Sequence, residues 1–225
     1  MSAGVRIDPS RSLPETSPGR PDVSPPPVEG VRHGWGVSSQ GPTAWRLSSL
    51  FGRVGEISGS RDTATLTLAM RLVREAQRQG EPVAWITPRE SVFYPPDVAS
   101  AIDLDALVVV RAPEARSAAR AADLLVRSGA FGLVVMDLGV NARMQPPVQA
   151  RLAGLARKHH CAVVCLTEKE SGRSSVGSLI SIRAEASRTK HEQGRFLCEA
   201  RILKDKRHGP GSSHEEMCHG PDGLH

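Results

Sequence analysis

Gly59, Ser60, Arg61, Asp62 and Thr63 stand between an apolar run and the start of a helical pattern, where a nucleotide-binding α/β protein carries its phosphate loop. Such a loop has the form G-x-x-x-x-G-K-[ST]. Successive backbone N–H groups wrap the phosphates, the lysine neutralises their charge and the hydroxyl reaches magnesium. Counted from Gly59, the positions for Gly, Lys and Ser/Thr hold Ala64, Thr65 and Leu66, and no Gly-Lys pair occurs in the chain. The residue types read as a turn that joins strand to helix without phosphate chemistry. Two alternatives stay open: anion or weak nucleotide binding on the free N–H groups of a helix start, and an unconventional ATPase with Arg61 in place of the lysine.

Asp137 closes the apolar run Leu133-Val-Val-Met136. At that position a Walker B carboxylate orders the magnesium that a bound triphosphate brings; without phosphate binding it has little to hold. A third constellation is basic: Arg183, Arg188, Lys190, Arg195, Arg201, Lys204, Lys206 and Arg207, offset in part by Glu185, Glu192, Glu199 and Asp205. It is a candidate surface for DNA, through salt-dependent phosphate contacts, or for a protein partner. A solvated sheet edge that uses charge against aggregation is the competing reading. His208, His214, Cys218, His219 and His225 are zinc-ligand types, but no paired C-x-x-C or H-x3-H frame spaces them, and no metal is expected. No G-x-S-x-G elbow supports a serine nucleophile.

The elements that must position these groups alternate. Val54 to Ile57 reads as a strand. A helix opens near Thr63, with Leu66, Ala69, Met70, Val73 and Ala76 on one face, and stops at Gly80. Strands follow at 82–87, Leu107 to Val110, Leu133 to Asp137 and Cys161 to Thr167, with helices at Glu114 to Arg127 and from Pro146 or Pro147. Pro88 to Ala101 is loop-like, with a turn at Tyr94-Pro-Pro96. Leu179 to Arg188 and Arg195 to Lys204 alternate on either side of a turn-like joint, which predicts an antiparallel hairpin at the sheet edge. Continuous apolar runs between amphipathic helices mean a mostly parallel twisted sheet flanked by helices. Ligands of such sheets bind at the carboxyl ends of the strands, so Ser58 to Arg61, Thr87 to Glu90, Asp137 and Thr167-Glu168 should share one edge.

Residues 1–30 hold seven of the seventeen prolines. Residues 1–34 therefore read as a disordered Pro-rich arm, 35–206 as the folded domain and 207–225 as a flexible tail. Trp35 and Trp45 mark the approach to the folded part. Net charge is +5; the arm sums to zero and the tail to −2, which leaves +7 on the domain. No apolar run is long enough to span a membrane and no signal-like start is present. A cytoplasmic protein is expected, nucleoid-associated when acting on DNA, with its four cysteines as buried free thiols.

With the elements in this order, residues 48–210 resemble the core of RecA-type recombinases. Gly52-Arg-Val-Gly-Glu-Ile-Ser-Gly59 followed by Thr65-Leu-Thr-Leu68 looks like that family's strand, phosphate loop and first helix, shortened by about two residues. Leu124 to Asp137 is similar to its Walker B strand and the preceding helix. Ile202-Leu-Lys-Asp-Lys-Arg-His-Gly-Pro210 looks like the late K-x-[KR] strand that reaches a neighbour's nucleotide in filaments. Arg89 falls where the family has its catalytic glutamate, with Glu90 one place on. Leu138 to Gln145 and Lys169 to Ser178 look like shortened forms of its two DNA-gripping loops. A short, nucleotide-incompetent chain of this kind is similar to the ImuA family, RecA-like accessories of mutagenic translesion synthesis in bacteria. That resemblance implies a non-catalytic adaptor in the DNA damage and SOS response, without a cofactor. The implied partners are an ImuB-like polymerase homologue, an error-prone replicative-type polymerase and RecA itself. The alternative is a RecA/DnaB-like DNA-dependent ATPase with a non-standard phosphate loop.

Overall fold

A computed structural model of the chain describes residues 37–38, 45–60, 64–88, 102–140, 142–170, 172–192 and 194–219. They lie within one compact unit, residues 35–225. The Pro-rich arm, Trp35, the loop expected to turn at Tyr94-Pro-Pro96, Arg89 and Glu90 lie outside the described residues, as do Arg61, Asp62, Thr63 and His225.

The apolar runs form the parallel part of a single sheet: β2 (Val54–Gly59), β3 (Val83–Thr87), β4 (Leu107–Arg111), β5 (Leu133–Val140) and β6 (Ala162–Glu168). The expected C-terminal hairpin forms as β7 (Ile182–Lys190) and β8 (Arg195–Asp205), antiparallel to each other, with β7 parallel to β2. The order is β1-β9-β8-β7-β2-β6-β5-β3-β4, where β1 (Val37–Ser38) and β9 (Ser213–His219) are antiparallel additions outside the hairpin. The fold is thus α/β, mostly parallel, with an antiparallel C-terminal flank. Helices α1 (Leu47–Leu50) and α2 (Thr65–Arg78) pack on one face, α3 (Ala115–Ser128) and α4 (Pro146–His159) on the other.

Local chemistry accounts for the boundaries. α2 buries Leu68, Ala69, Leu72, Val73 and Ala76 on one stripe and runs out at Gly80, whose φ of +73° suits a residue without Cβ. α3 ends the same way at Gly129. Pro146 and Pro147 occupy the first turn of α4, where an N–H would be orphaned in any case, and Arg157, Lys158 and His159 meet the negative end of its dipole. Gly55 sits in close packing: a Cβ there would lie 3.1 Å from the side chains of both Ile182 and Leu50, which would have to give by a few tenths of an ångström.

The flexible tail expected from Arg207 onward is corrected over 213–219, which is strand β9, registered from Ser213 on Arg201 to His219 on Arg195. His214, Glu216 and Cys218 point inward on alternate positions and are buried. Their polarity hid the period-2 signal; what makes them tolerable inside is Arg71 of α2, which donates to Glu216 Oε2 at 2.7 Å and touches the His214 ring. Burial, then the Arg71 and Arg46 guanidiniums, push His214 down to about 4 from 6.5.

A histidine depressed on folding contributes stability that is complete above its unfolded value and is lost as pH falls below it. His214 therefore costs stability between pH 6.5 and about 4. Glu216, pushed upward chiefly by burial, acts in the opposite sense, so the readout is a difference between proteins. We expect the urea midpoint to fall from pH 6.5 to 4 more steeply in the native protein than in His214→Gln, with parallel profiles above pH 7.

Candidate functional site at the carboxyl edge

The strand order brings β2, β6, β5 and β3 side by side, so their carboxyl ends form one edge. Gly59 and Ser60 lie there, as expected, with Thr87, Asp137, Thr167 and Glu168. The neighbouring start of α2 has no side-chain cap, since Ala64 stands at that position.

Asp137 is half-buried, and Thr87 lies 3.5 Å from its Oδ2. Burial raises its pKa; the Gly139 amide and Thr87 oppose that rise, while the nearby Glu168 carboxylate adds to it. A bulge between Asp137 and Val140, with Gly139 at φ +61°, turns the strand away just past the carboxylate.

Beside it is a network that sequence reasoning missed. Glu56 of β2 is fully buried. Its Oε1 accepts from Thr167 at 3.0 Å and pairs with Lys169 Nζ at 2.6 Å; its Oε2 accepts from the Val176 amide at 3.1 Å and from Ser175 Oγ. The signal available was one carboxylate inside an otherwise apolar strand, Val54-Gly-Glu-Ile57, which demands a partner. Lys169, the lysine that follows β6 on this edge, also donates to the Ser174 carbonyl at 2.8 Å.

The loops at 138–145 and 169–178 are tied to each other. Met144 N–H donates to the Val176 carbonyl at 2.9 Å. The buried Gln149 donates to the Met144 carbonyl at 2.5 Å and accepts from the Leu179 amide at 2.9 Å. A Cβ on Gly177 would overlap the Gln149 amide, so this position needs glycine.

The eight-residue basic set is split rather than continuous. Arg188 and Lys190 share the α2 side of the hairpin, Arg188 over the Phe196 ring at 4.9 Å. Arg183, Arg195, Arg201 and Lys204 alternate onto the other side, where Arg183 is buried and Arg201 pairs with Glu185. Lys206 and Arg207 lie beyond β8, at the opposite end of the parallel strands. His208 turns to Asp205 at 3.1 Å while His214 and Cys218 face inward on β9, so these zinc-type residues do not converge.

This sheet order, with helices on both faces, defines an α/β protein with a RecA-like core. The chain belongs to the RecA N-terminal domain family, whose profile matches residues 48–164. Among similar proteins are Protein RecA of Fusobacterium nucleatum, 28% identical over 136 residues, and Protein RecA of Clostridium acetobutylicum, 27% identical over 136 residues. Each match takes in 52% of this chain, and 36% and 39% of those proteins respectively. Protein RecA of a Nocardioides species is 40% identical over 88 residues, 38% of this chain and 25% of that protein. The chain thus spans little more than a third of the length of the RecA proteins it matches. Among the described residues, no helix is long and apolar enough to cross a membrane.

Removing one member of a buried ion pair leaves the other charge uncompensated, at a cost of about 3–5 kcal/mol. Lys169→Met should lose stability in that range by urea unfolding, and Lys169→Arg, which keeps the charge, should lose less.

Proposed function

We propose that this protein is a non-catalytic RecA-like adaptor of the DNA damage response that serves mutagenic translesion synthesis. It binds polymerase subunits of an ImuB-like and an error-prone replicative type, and RecA. The observation that carries the reading is the engagement of Lys169. A phosphate site needs an available cation, and Lys169 of this edge is held by the buried Glu56. Ala64, Thr65 and Leu66 at the start of α2 supply neither lysine nor a hydroxyl at the magnesium position. Both features support a reading in which no nucleoside triphosphate is used, with Asp137 standing beside Glu168. Met144 and Val176 tie the loops that resemble the DNA-gripping pair to each other.

Docking has a surface to use. β4 ends the sheet, hydrogen-bonded among the described residues to β3 alone. Val108 on β4 is 44% exposed and Leu124 on α3 is 61% exposed. An open strand edge with apolar side chains is a template for strand addition by another chain.

The retained Thr87–Asp137 contact favours the second reading, a DNA-dependent ATPase in which Arg61 meets the phosphates. The two readings differ in what capture of a partner depends on. Immobilised full-length protein should retain RecA or the polymerase homologue without nucleotide. Val108→Lys should weaken that capture about tenfold or more, and Asp137→Ala should leave it unchanged. Capture that needs ATP and vanishes in Asp137→Ala, with phosphate release by the native protein, would establish the ATPase instead.

A further inference from the structure

At the other end of the parallel strands, where β2 begins and β8 ends, a cleft of about 420 Å³ opens between α4 and the turn after β8. We propose that it binds an acidic peptide segment that inserts an apolar side chain between its carboxylates. The cleft shares no residue with the Asp137 edge or with β4, so its occupancy is independent of the adaptor reading.

The charge is one-sided. Arg157, Lys206 and Arg207 line the cleft and are exposed, and no carboxylate lines it. Among the described residues none of the three forms an ion pair; Lys206 Nζ reaches only the Ser178 carbonyl, at 3.3 Å. Arg53, the fourth cation, is different. It is buried, its Nε donates to Ser181 Oγ at 3.0 Å, and one guanidinium nitrogen pairs with Asp205 at 2.5 Å. Asp205 is desolvated, yet Arg53, the Arg207 amide and His208 hold it at about 2. The Arg53–Asp205 pair is thus a fixed wall, neutral in sum, and the three rim cations are left for a guest.

The shape selects the guest. Ala150, Ala153 and Gly154 present a wall of α4 with almost no side chain, so a chain can approach the helix closely. Leu179, 39% exposed, and Val54 give the interior an apolar contact. A space of this volume takes one or two side chains. No aromatic residue lines it to stack a base, and a compact rim of three cations suits paired carboxylates better than an extended phosphate track.

The test uses the full chain and fluorescence anisotropy. The probes are a labelled peptide rich in aspartate and leucine, its lysine counterpart, and a single-stranded oligonucleotide of similar length. A Cβ on Gly154 would meet nothing within 4 Å, so Gly154→Leu can be placed on the cleft wall, with its urea midpoint checked against the native protein. Arg207→Glu reverses one rim charge. The acidic peptide should bind in a salt-dependent manner, each variant should weaken it about tenfold or more, and the lysine counterpart should not bind. Failure of the acidic peptide to bind, or binding indifferent to both variants, overturns the proposal. Displacement of the peptide by the oligonucleotide, with the same variant sensitivity, reassigns the cleft to nucleic acid and overturns the peptide assignment.

Discussion

Glu56 is the constraint on which the rest of this structure depends. A fully buried carboxylate in a central strand is costly unless it is paired and hydrogen-bonded on both oxygens. Thr167 and Lys169 satisfy one oxygen, Ser175 and the Val176 amide the other. Meeting that demand fixes the exit of β6 and folds the following loop back over β2. It also takes Lys169 out of circulation at the edge where RecA-type chemistry would occur.

Two further buried charge groups bind the C-terminal third of the chain to its start. Arg53 at the head of β2 grips Ser181 and Asp205, joining both ends of the β7–β8 hairpin to the parallel sheet. Arg71 of α2 holds Glu216 and His214, and so β9, against the first helix layer. The Arg53–Asp205 and Arg71–Glu216 pairs join residues 152 and 145 positions apart in sequence. Each pair is a point at which elements distant in sequence are held side by side.

Much of this was legible in the residues. Apolar runs bounded by Gly and Pro placed β2, β3, β4, β6, α2, α3 and the start of α4 within about two residues, and β5 up to the bulge that carries it three residues past Asp137, because burial on both faces of a parallel sheet leaves little choice of residue type. The carboxyl edge followed from the alternation of strands and helices, and Asp137 and Thr87 meet there. What escaped was polar and long-range. β9 carries His, Glu and Glu where a strand reader looks for Val or Ile, and only Arg71 makes that pattern coherent. The basic hairpin read as one surface, yet strand alternation and burial of Arg183 divide it. Neither Glu56 nor Asp205 announces its partner locally, since the partners lie on other strands and loops.

The proposal that this chain works without nucleotide rests on Ala64, Thr65 and Leu66 at the phosphate-loop positions and on the engagement of Lys169 by Glu56. Equilibrium titration of the full-length protein with ATP and magnesium tests it most directly. The account predicts no saturable binding up to about 1 mM. Saturable binding in the micromolar range that Asp137→Ala abolishes would contradict it.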